Sequence, residues 1–97
     1  MTQFRIAILS NVENEIRQLP PDIRRGVREA IRAISLDPGR GAALRLELQD
    51  YMKFRVRRFR IVHSVDRRAR RVTVVAVGHR RTVYEQAVAA LGGRSES

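Results

Sequence analysis

The sequence contains no cysteine and no tryptophan. The first absence rules out disulfides, thiolate metal ligands and a cysteine nucleophile, and it fits a cytoplasmic chain. The second, with only three Phe and two Tyr, leaves the core to Val, Ile, Leu and Ala. No apolar run approaches the ~18 residues that a membrane helix needs. The start, Met1-Thr2-Gln3-Phe4-Arg5, lacks the basic-then-apolar order of a signal peptide. No membrane association is therefore expected. The histidines are two, His63 and His79, far apart in the chain. With no thiolates to join them, no metal or other cofactor is expected.

Acidic charge is scarce in one half only. Residues 1–52 balance Arg5, Arg17, Arg24, Arg25, Arg28, Arg32, Arg40 and Arg45 against Glu13, Glu15, Asp22, Glu29, Asp37, Glu47 and Asp50. Residues 53–81 set Lys53, Arg55, Arg57, Arg58, Arg60, Arg67, Arg68, Arg70, Arg71, Arg80 and Arg81 against Asp66 alone. The formal net charge is +10, and its excess sits in that second stretch. Lys53 is the sole lysine. Arginine is suited to bidentate phosphate contact and to stacking on bases. A polyanion, nucleic acid first, is the expected partner.

The length of 97 residues fits one domain, and 43% hydrophobic residues is too many for a disordered chain. The expected boundaries are a single domain over 1–91 and a flexible C-terminal tail over 92–97. From Gln3 to Leu9 the apolar residues alternate, which predicts a strand with one buried face. Ser10 and Glu13 match a capping box, and Val12, Ile16 and Leu19 form a helical stripe behind it. Pro20-Pro21 ends that helix and starts a second. Its apolar face is Ile23, Val27, Ala30, Ile31 and Ile34, and it stops near Leu36 before Asp37-Pro38-Gly39. Over 40–51, Leu44, Leu46 and Leu48 alternate with Arg45 and Glu47, which predicts a short extended segment. Two strands follow. Phe54 and Val56 oppose Lys53, Arg55 and Arg57; Phe59, Ile61, His63 and Val65 oppose Arg58, Arg60 and Val62. Asp66 to Arg70 reads as a hairpin turn. Val72 to Val77 reads as a strand covered on both faces, broken by Gly78. Thr82 opens a last helix with Val83, Ala87 and Leu91 inward. The expected fold is α+β: a helical hairpin on a small, mostly antiparallel four-stranded sheet, in the order β-α-α-β-β-β-α.

These residues carry a family likeness. The Leu19-Pro20 junction, Leu36-Asp37-Pro38, Phe54-Arg55-Val56 and Phe59-Arg60-Ile61-Val62-His63 resemble the RelE/ParE toxin superfamily in order and spacing. The most specific string, Val77-Gly78-His79-Arg80-Arg81-Thr82-Val83-Tyr84, resembles the ending of the RelE-type branch. The likeness spans roughly residues 3–88. It implies a toxin of a type II toxin–antitoxin system that cuts messenger RNA at the ribosome through the RNA's own 2′-hydroxyl. It also implies a cognate antitoxin and a toxin–antitoxin hetero-oligomer. Matching functional positions are Lys53, Arg55, Arg60, Arg80 and Tyr84. The family usually has a glycine just before its aromatic-Arg pair, where this chain has Arg57-Arg58-Phe59. ParE-type members share the fold and poison DNA gyrase. That activity, and a catalytically inactive basic nucleic-acid-binding paralogue, are the alternatives.

Cutting RNA at the 2′-hydroxyl needs a base for the hydroxyl proton, cations for the charge growing on phosphorus, and an acid for the leaving 5′-oxygen. Lys53 is a candidate base. Arg55, Arg60 and Arg80 are candidate charge stabilisers, since a guanidinium holds its proton. Tyr84 is a candidate proton carrier or stacking platform. His79 suits acid or base work by its chemistry, or a structural hydrogen bond at a strand end. Glu47 is a carboxylate base in the reading carried over from some relatives. Arg57, Arg58 and Arg81 are expected to touch RNA. His63, on the apolar side of its strand, is expected to be buried. Arg67, Arg68, Arg70 and Arg71 are expected to form a solvated turn that adds general attraction for RNA.

Overall fold

Alternating apolar residues need a sheet to alternate on, and the computed structural model supplies one. It describes residues 3–45, 48 and 50–95. The order is β1 (Arg5–Ile8), α1 (Ser10–Arg17), α2 (Pro21–Leu36), β2 (Ala42–Ala43), β3 (Met52–Val56), β4 (Phe59–Asp66), β5 (Arg71–His79) and α3 (Val83–Ser95). Among the described residues the strands form one five-stranded sheet, ordered β1-β5-β4-β3-β2. β1 pairs with β5 in parallel, and the other pairings are antiparallel.

The sheet separates two apolar layers. On one face Val12 and Ile16 of α1 and Val27, Ala30, Ile31 and Ile34 of α2 meet Ile61, Val72, Val74 and Val77. On the other, Val83 and Ala87 of α3 meet Val62, Val75, Ala76 and Leu48. This double cover explains the nearly unbroken apolar run of β5. Each sizeable aliphatic side chain removed from water there contributes roughly 1.5–3 kcal/mol.

Four features differ from expectation. The sheet has a fifth strand, at Ala42–Ala43 rather than at 44–48. β2 takes the free edge of β3, with Ala42 opposite Lys53 and Ala43 opposite Met52. The chain must then reverse before β3. The Leu44 N–H donates to the Tyr51 carbonyl (3.0 Å) and the Leu48 N–H to the Arg45 carbonyl (3.1 Å). Leu48 is thereby turned into the α3-side core; Leu46 and Glu47 lie outside the described residues. Second, the capping box does not form. Leu9 occupies the cap position with no side-chain bond, because its N–H extends the strand pairing to the Val74 carbonyl. Glu13 instead turns to α2, where it accepts two bonds from Arg28 (3.1 and 2.6 Å). Third, Gly78 continues β5 opposite Arg60; a side chain there would strike the Gln86 amide of α3. Fourth, α3 runs past Leu91 to Ser95, into the stretch expected to be a tail. Glycine costs a helix about 1 kcal/mol against alanine but makes the same backbone bonds.

His63 is fully buried, as expected. It sits beside an irregularity in the β4–β5 pairing, between Met52 on β3 and Val74 on β5. Neither ring nitrogen has a hydrogen-bond partner. Burial pushes its pKa below the ordinary histidine value, and the nearby Ile61 carbonyl opposes this only in part. A depressed histidine pKa means that the unfolded chain binds the proton first. Stability is then complete above the unfolded value, near 6.5, and drains as pH falls through the folded value. We expect His63→Leu to abolish this acid-side loss in denaturant melts. It should also raise neutral-pH stability by about 1–3 kcal/mol, since two unpaired buried nitrogens are removed. Unchanged pH dependence in the variant would contradict the assignment.

Glu13 shows the carboxylate form of the same linkage. The Arg28 hydrogen bonds, and then Arg17, hold its carboxyl below the usual range despite some opposing burial. Its contribution is present above the unfolded carboxylate value and drains as pH falls further, a separate and lower window. The pair is near the surface, so Glu13→Gln should cost only about 0.5–1 kcal/mol at neutral pH. The check is urea unfolding at pH 7 and pH 3. The difference between variant and parent should be present at the first and smaller at the second.

Candidate functional site

Strand geometry decides which cations can act together. Side chains of paired residues share a face of the sheet. Lys53 is paired with Val62, and Val62 with Ala76; Val62 and Ala76 belong to the α3-side core. Arg55 is paired with Arg60, and Arg60 with Gly78. Lys53, Arg55 and Arg60 therefore share the α3 face, next to Gly78, over which Gln86 of α3 sits. A cleft of about 310 Å³ lies there, lined by Gly41, Ala42, Lys53, Arg55 and Arg60. Two arginines directly opposite each other destabilise a sheet. An anion held between them would reverse the sign of that contribution.

Arg60 shows how the free protein manages the charge. Its Nη1 donates to the Arg57 carbonyl (3.0 Å) and the Phe59 carbonyl (2.8 Å). The guanidinium is folded back on the β3–β4 turn, half-buried, with other donors available. Lys53 faces the opposite way along the cleft. Its Nζ stands 6.0 Å from the centroid of the Tyr84 ring, at the outer limit of a cation–π contact.

Beyond Lys53 the cleft opens into a larger groove of about 680 Å³ between α3 and the segment that follows β2. Leu44, Leu48, Tyr84, Val88 and Ala89 form its apolar wall, with Arg45, Lys53 and Glu85 among its polar groups. One lysine thus joins a cationic cleft to an apolar groove with a tyrosine face. Among the described residues no group of three or more His, Asp or Glu side chains gathers to hold a metal.

Of the residues singled out in the sequence, the structure brings Lys53, Arg55, Arg60 and Tyr84 together. Arg80 is near in the chain. It follows β5 two residues after Gly78, and its N–H donates to the Arg58 carbonyl (2.7 Å). Its side chain and those of Arg58 and Arg81 are exposed. His79 is not brought in. It is paired with Phe59 and meets that ring edge-on at 5.9 Å on the helical-hairpin side. Its Nδ1 accepts the Arg81 N–H (3.2 Å), a strand-end role rather than a place in the cleft. Arg57 is also turned away, toward Asp22 of α2 (3.4 Å). Its φ of 55° puts it in the left-handed region. Glu47 lies outside the described residues. The sequence reading missed Gly41, Ala42, Glu85, Val88 and Ala89. The signal that could have found Leu44 and Leu48 is their spacing of four; alternation alone hid it.

The family model described as the ParE toxin of type II toxin–antitoxin systems, parDE, matches residues 7–84. No curated protein sequence matches the chain. Among solved structures, the RelBE2 toxin–antitoxin complex of Mycobacterium tuberculosis is similar, with 26% identity and a TM-score of 0.74. That match covers 81% of this chain and 93% of the other. A double arginine-to-alanine variant of the E. coli RelE toxin, in its free state, has 23% identity and a TM-score of 0.73. It covers 89% of this chain and 95% of its own. The archaeal RelE–RelB complex of Pyrococcus horikoshii has 21% identity, a TM-score of 0.68, and coverages of 82% and 97%. The last two likenesses speak for the fold.

Proposed function

The chain belongs to the ParE toxin family of type II toxin–antitoxin systems, within the RelE/ParE superfamily, and from that premise we propose that it is an endoribonuclease toxin that cuts messenger RNA on the ribosome. The observation that carries this reading is the cleft-and-groove pair joined at Lys53. A nucleotide has a charged end and an apolar, stackable end. The cleft of Lys53, Arg55 and Arg60 suits a phosphate. The neighbouring groove, with Tyr84 on its wall, suits the attached base.

The reaction we propose uses this placement. The 2′-oxygen of the ribose attacks its own 3′-phosphate, the bond to the next 5′-oxygen breaks, and a cyclic phosphate remains. Arg60 and Arg55 hold the charge that grows on the phosphoryl oxygens. Arg80 closes over the same phosphate from the end of β5. Lys53, once deprotonated, accepts the 2′-hydroxyl proton, and Tyr84 returns a proton to the leaving 5′-oxygen. DNA lacks the attacking hydroxyl and is not cut. A partner antitoxin, as in the complexes named above, pairs with this basic chain in the cytoplasm and holds it inactive; acidic, foldable segments suit a +10 surface.

The match to the ParE description supports a second reading, a gyrase inhibitor with no RNA chemistry. An in vitro translation reaction separates the two. Primer extension on the message should show cuts that need ribosomes and disappear with Arg80→Ala while the variant keeps its fold. Whole message with gyrase supercoiling inhibited would instead establish the second reading.

A further inference from the structure

The far end of the sheet carries a second basic cluster. Arg67 and Arg68 lie in the β4–β5 turn, Arg70 closes it, and Arg71 opens β5. Arg5 on β1 stands directly opposite Arg71. All five are exposed. Two acids lie near them: Asp66, whose Oδ1 accepts the Ala69 N–H (3.0 Å) and shapes the turn, and Asp37, which flanks Gly39 together with the Arg67 guanidinium without pairing with it. Among the described residues no carboxylate lies within ion-pair distance of any of the five, whereas Arg17, Arg28 and Arg57 are each paired. The turn is also costly to hold. Arg70 has φ 54°, a conformation that disfavours any residue with a Cβ. The Arg5 N–H bonds the Arg70 carbonyl (2.9 Å), which locks Arg5 into the cluster.

This cluster is not part of the cleft. Arg71 and His79 are the two ends of the nine-residue β5. At ~3.3 Å per residue the basic ends lie roughly 26 Å apart. The chemistry also differs. The cleft has a tyrosine, an apolar groove and a lysine; the distal cluster is forked guanidiniums with no aromatic ring among them. Single strands are held by stacking platforms, while a duplex hides its bases and offers its backbone. We propose that Arg5, Arg67, Arg68, Arg70 and Arg71 form a docking surface for the phosphate backbone of double-stranded RNA. The protein would then grip a structured RNA at one end of its sheet while a single strand enters the cleft at the other. The choice of RNA over DNA rests on the nuclease reading above.

The test is fluorescence anisotropy with a labelled RNA duplex, a single-stranded RNA and a DNA duplex between about 50 and 200 mM salt. The proteins are the parent, Arg67→Ala/Arg68→Ala/Arg71→Ala, and Lys53→Ala/Arg60→Ala. The triple variant should bind the RNA duplex ~10-fold or more weakly at low salt. Its slope of log affinity on log salt should be shallower by about 2–3, near one per lost phosphate contact. Its single-strand affinity should stay within about 3-fold of the parent, and the cleft variant should show the reverse pattern. The three arginines are exposed, and circular dichroism of the triple variant checks that the fold is kept. Unchanged duplex affinity and slope in the triple variant would overturn the proposal. Equal loss on both RNA forms would reduce the cluster to general attraction and overturn it too. Tighter binding of the DNA duplex through the same arginines would overturn the assignment to RNA. If message stays whole on ribosomes while the triple variant still loses duplex affinity, the nuclease reading fails and the docking surface stands.

Discussion

Arg60→Ala should lower ribosome-dependent cleavage by about 100-fold or more, the scale of losing one preorganised donor to a developing anion. The expectation rests on where Arg60 stands. It is the cross-strand partner of Arg55 and of Gly78, so it lies between two strands with no side chain on one side and a like charge on the other. A phosphate in the cleft would meet both guanidiniums, since Arg55 and Arg60 line it together. The variant also loses the bonds from Nη1 to the Arg57 and Phe59 carbonyls. Those carbonyls are at a turn and water can replace the donor, so stability should fall by no more than about 1 kcal/mol. Arg60→Lys separates charge from geometry. It keeps the cation and loses the fork, so it should recover only part of the rate. Single-turnover cutting on programmed ribosomes, with thermal melts of each variant, checks the pair. Arg60→Ala cutting within a few-fold of the parent would remove Arg60 from the reaction.

The face that Arg60 takes was legible in the sequence. Phe59, Ile61, His63 and Val65 are apolar or buried, so period two assigns Arg60 and Val62 to the opposite face. The same logic puts Lys53 and Arg55 on that face, and the hairpin register puts Arg55 beside Arg60. The helices were equally legible, because Pro20-Pro21 and Asp37-Pro38 fix the ends of α2. Legibility failed where local rules compete with tertiary partners. Ser10 and Glu13 satisfy the capping pattern, yet Arg28 lies across the interhelical gap and offers Glu13 a charged partner. Gly78 looks like a breaker, yet its missing side chain is what lets Gln86 of α3 sit over the strand.

The site was half legible for a related reason. Pattern assigns a residue to a face but not to a position along the strand relative to other elements. His79 and Arg80 are neighbours in the most specific motif, yet the strand's alternation sends His79 to the hairpin side against Phe59. Arg57 belongs to the basic run, but its left-handed backbone turns it toward Asp22. The groove wall was invisible because it joins Ala43, Leu44, Arg45 and Leu48 to α3, a contact between segments far apart in the chain. No periodicity encodes that meeting. Only the buried state of Leu48, once known, ties the two together.

Gly41→Ala should cost about 2–3 kcal/mol and disable the site without touching a charged residue. Gly41 has φ 94°, in a region where a residue with a Cβ pays roughly 1–2 kcal/mol. A Cβ there would also run into the Lys53 backbone carbonyl, and into the carbonyl carbon behind it at 3.3 Å. That obstacle is backbone in the middle of a paired strand and cannot rotate aside. Relief requires β2 to lift from β3, which breaks the Ala42–Lys53 and Ala43–Met52 pairing. The consequence reaches function because Gly41 and Ala42 line the same cleft as Lys53, Arg55 and Arg60. With β2 displaced, Lys53 loses its fixed edge and the groove loses its Ala43–Leu44 wall. A misplacement of about 1 Å can cost on the order of 100-fold in rate. The expected result is therefore a folded but less stable variant. Its melt should be shifted, its β2 amides should exchange faster with solvent, and its cleavage should be reduced at a temperature where it is still fully folded. Gly41→Ala with a normal melt would show that the turn can be rebuilt around a methyl group. A shifted melt with full cleavage would show that the β2 edge stabilises the fold but does not position Lys53.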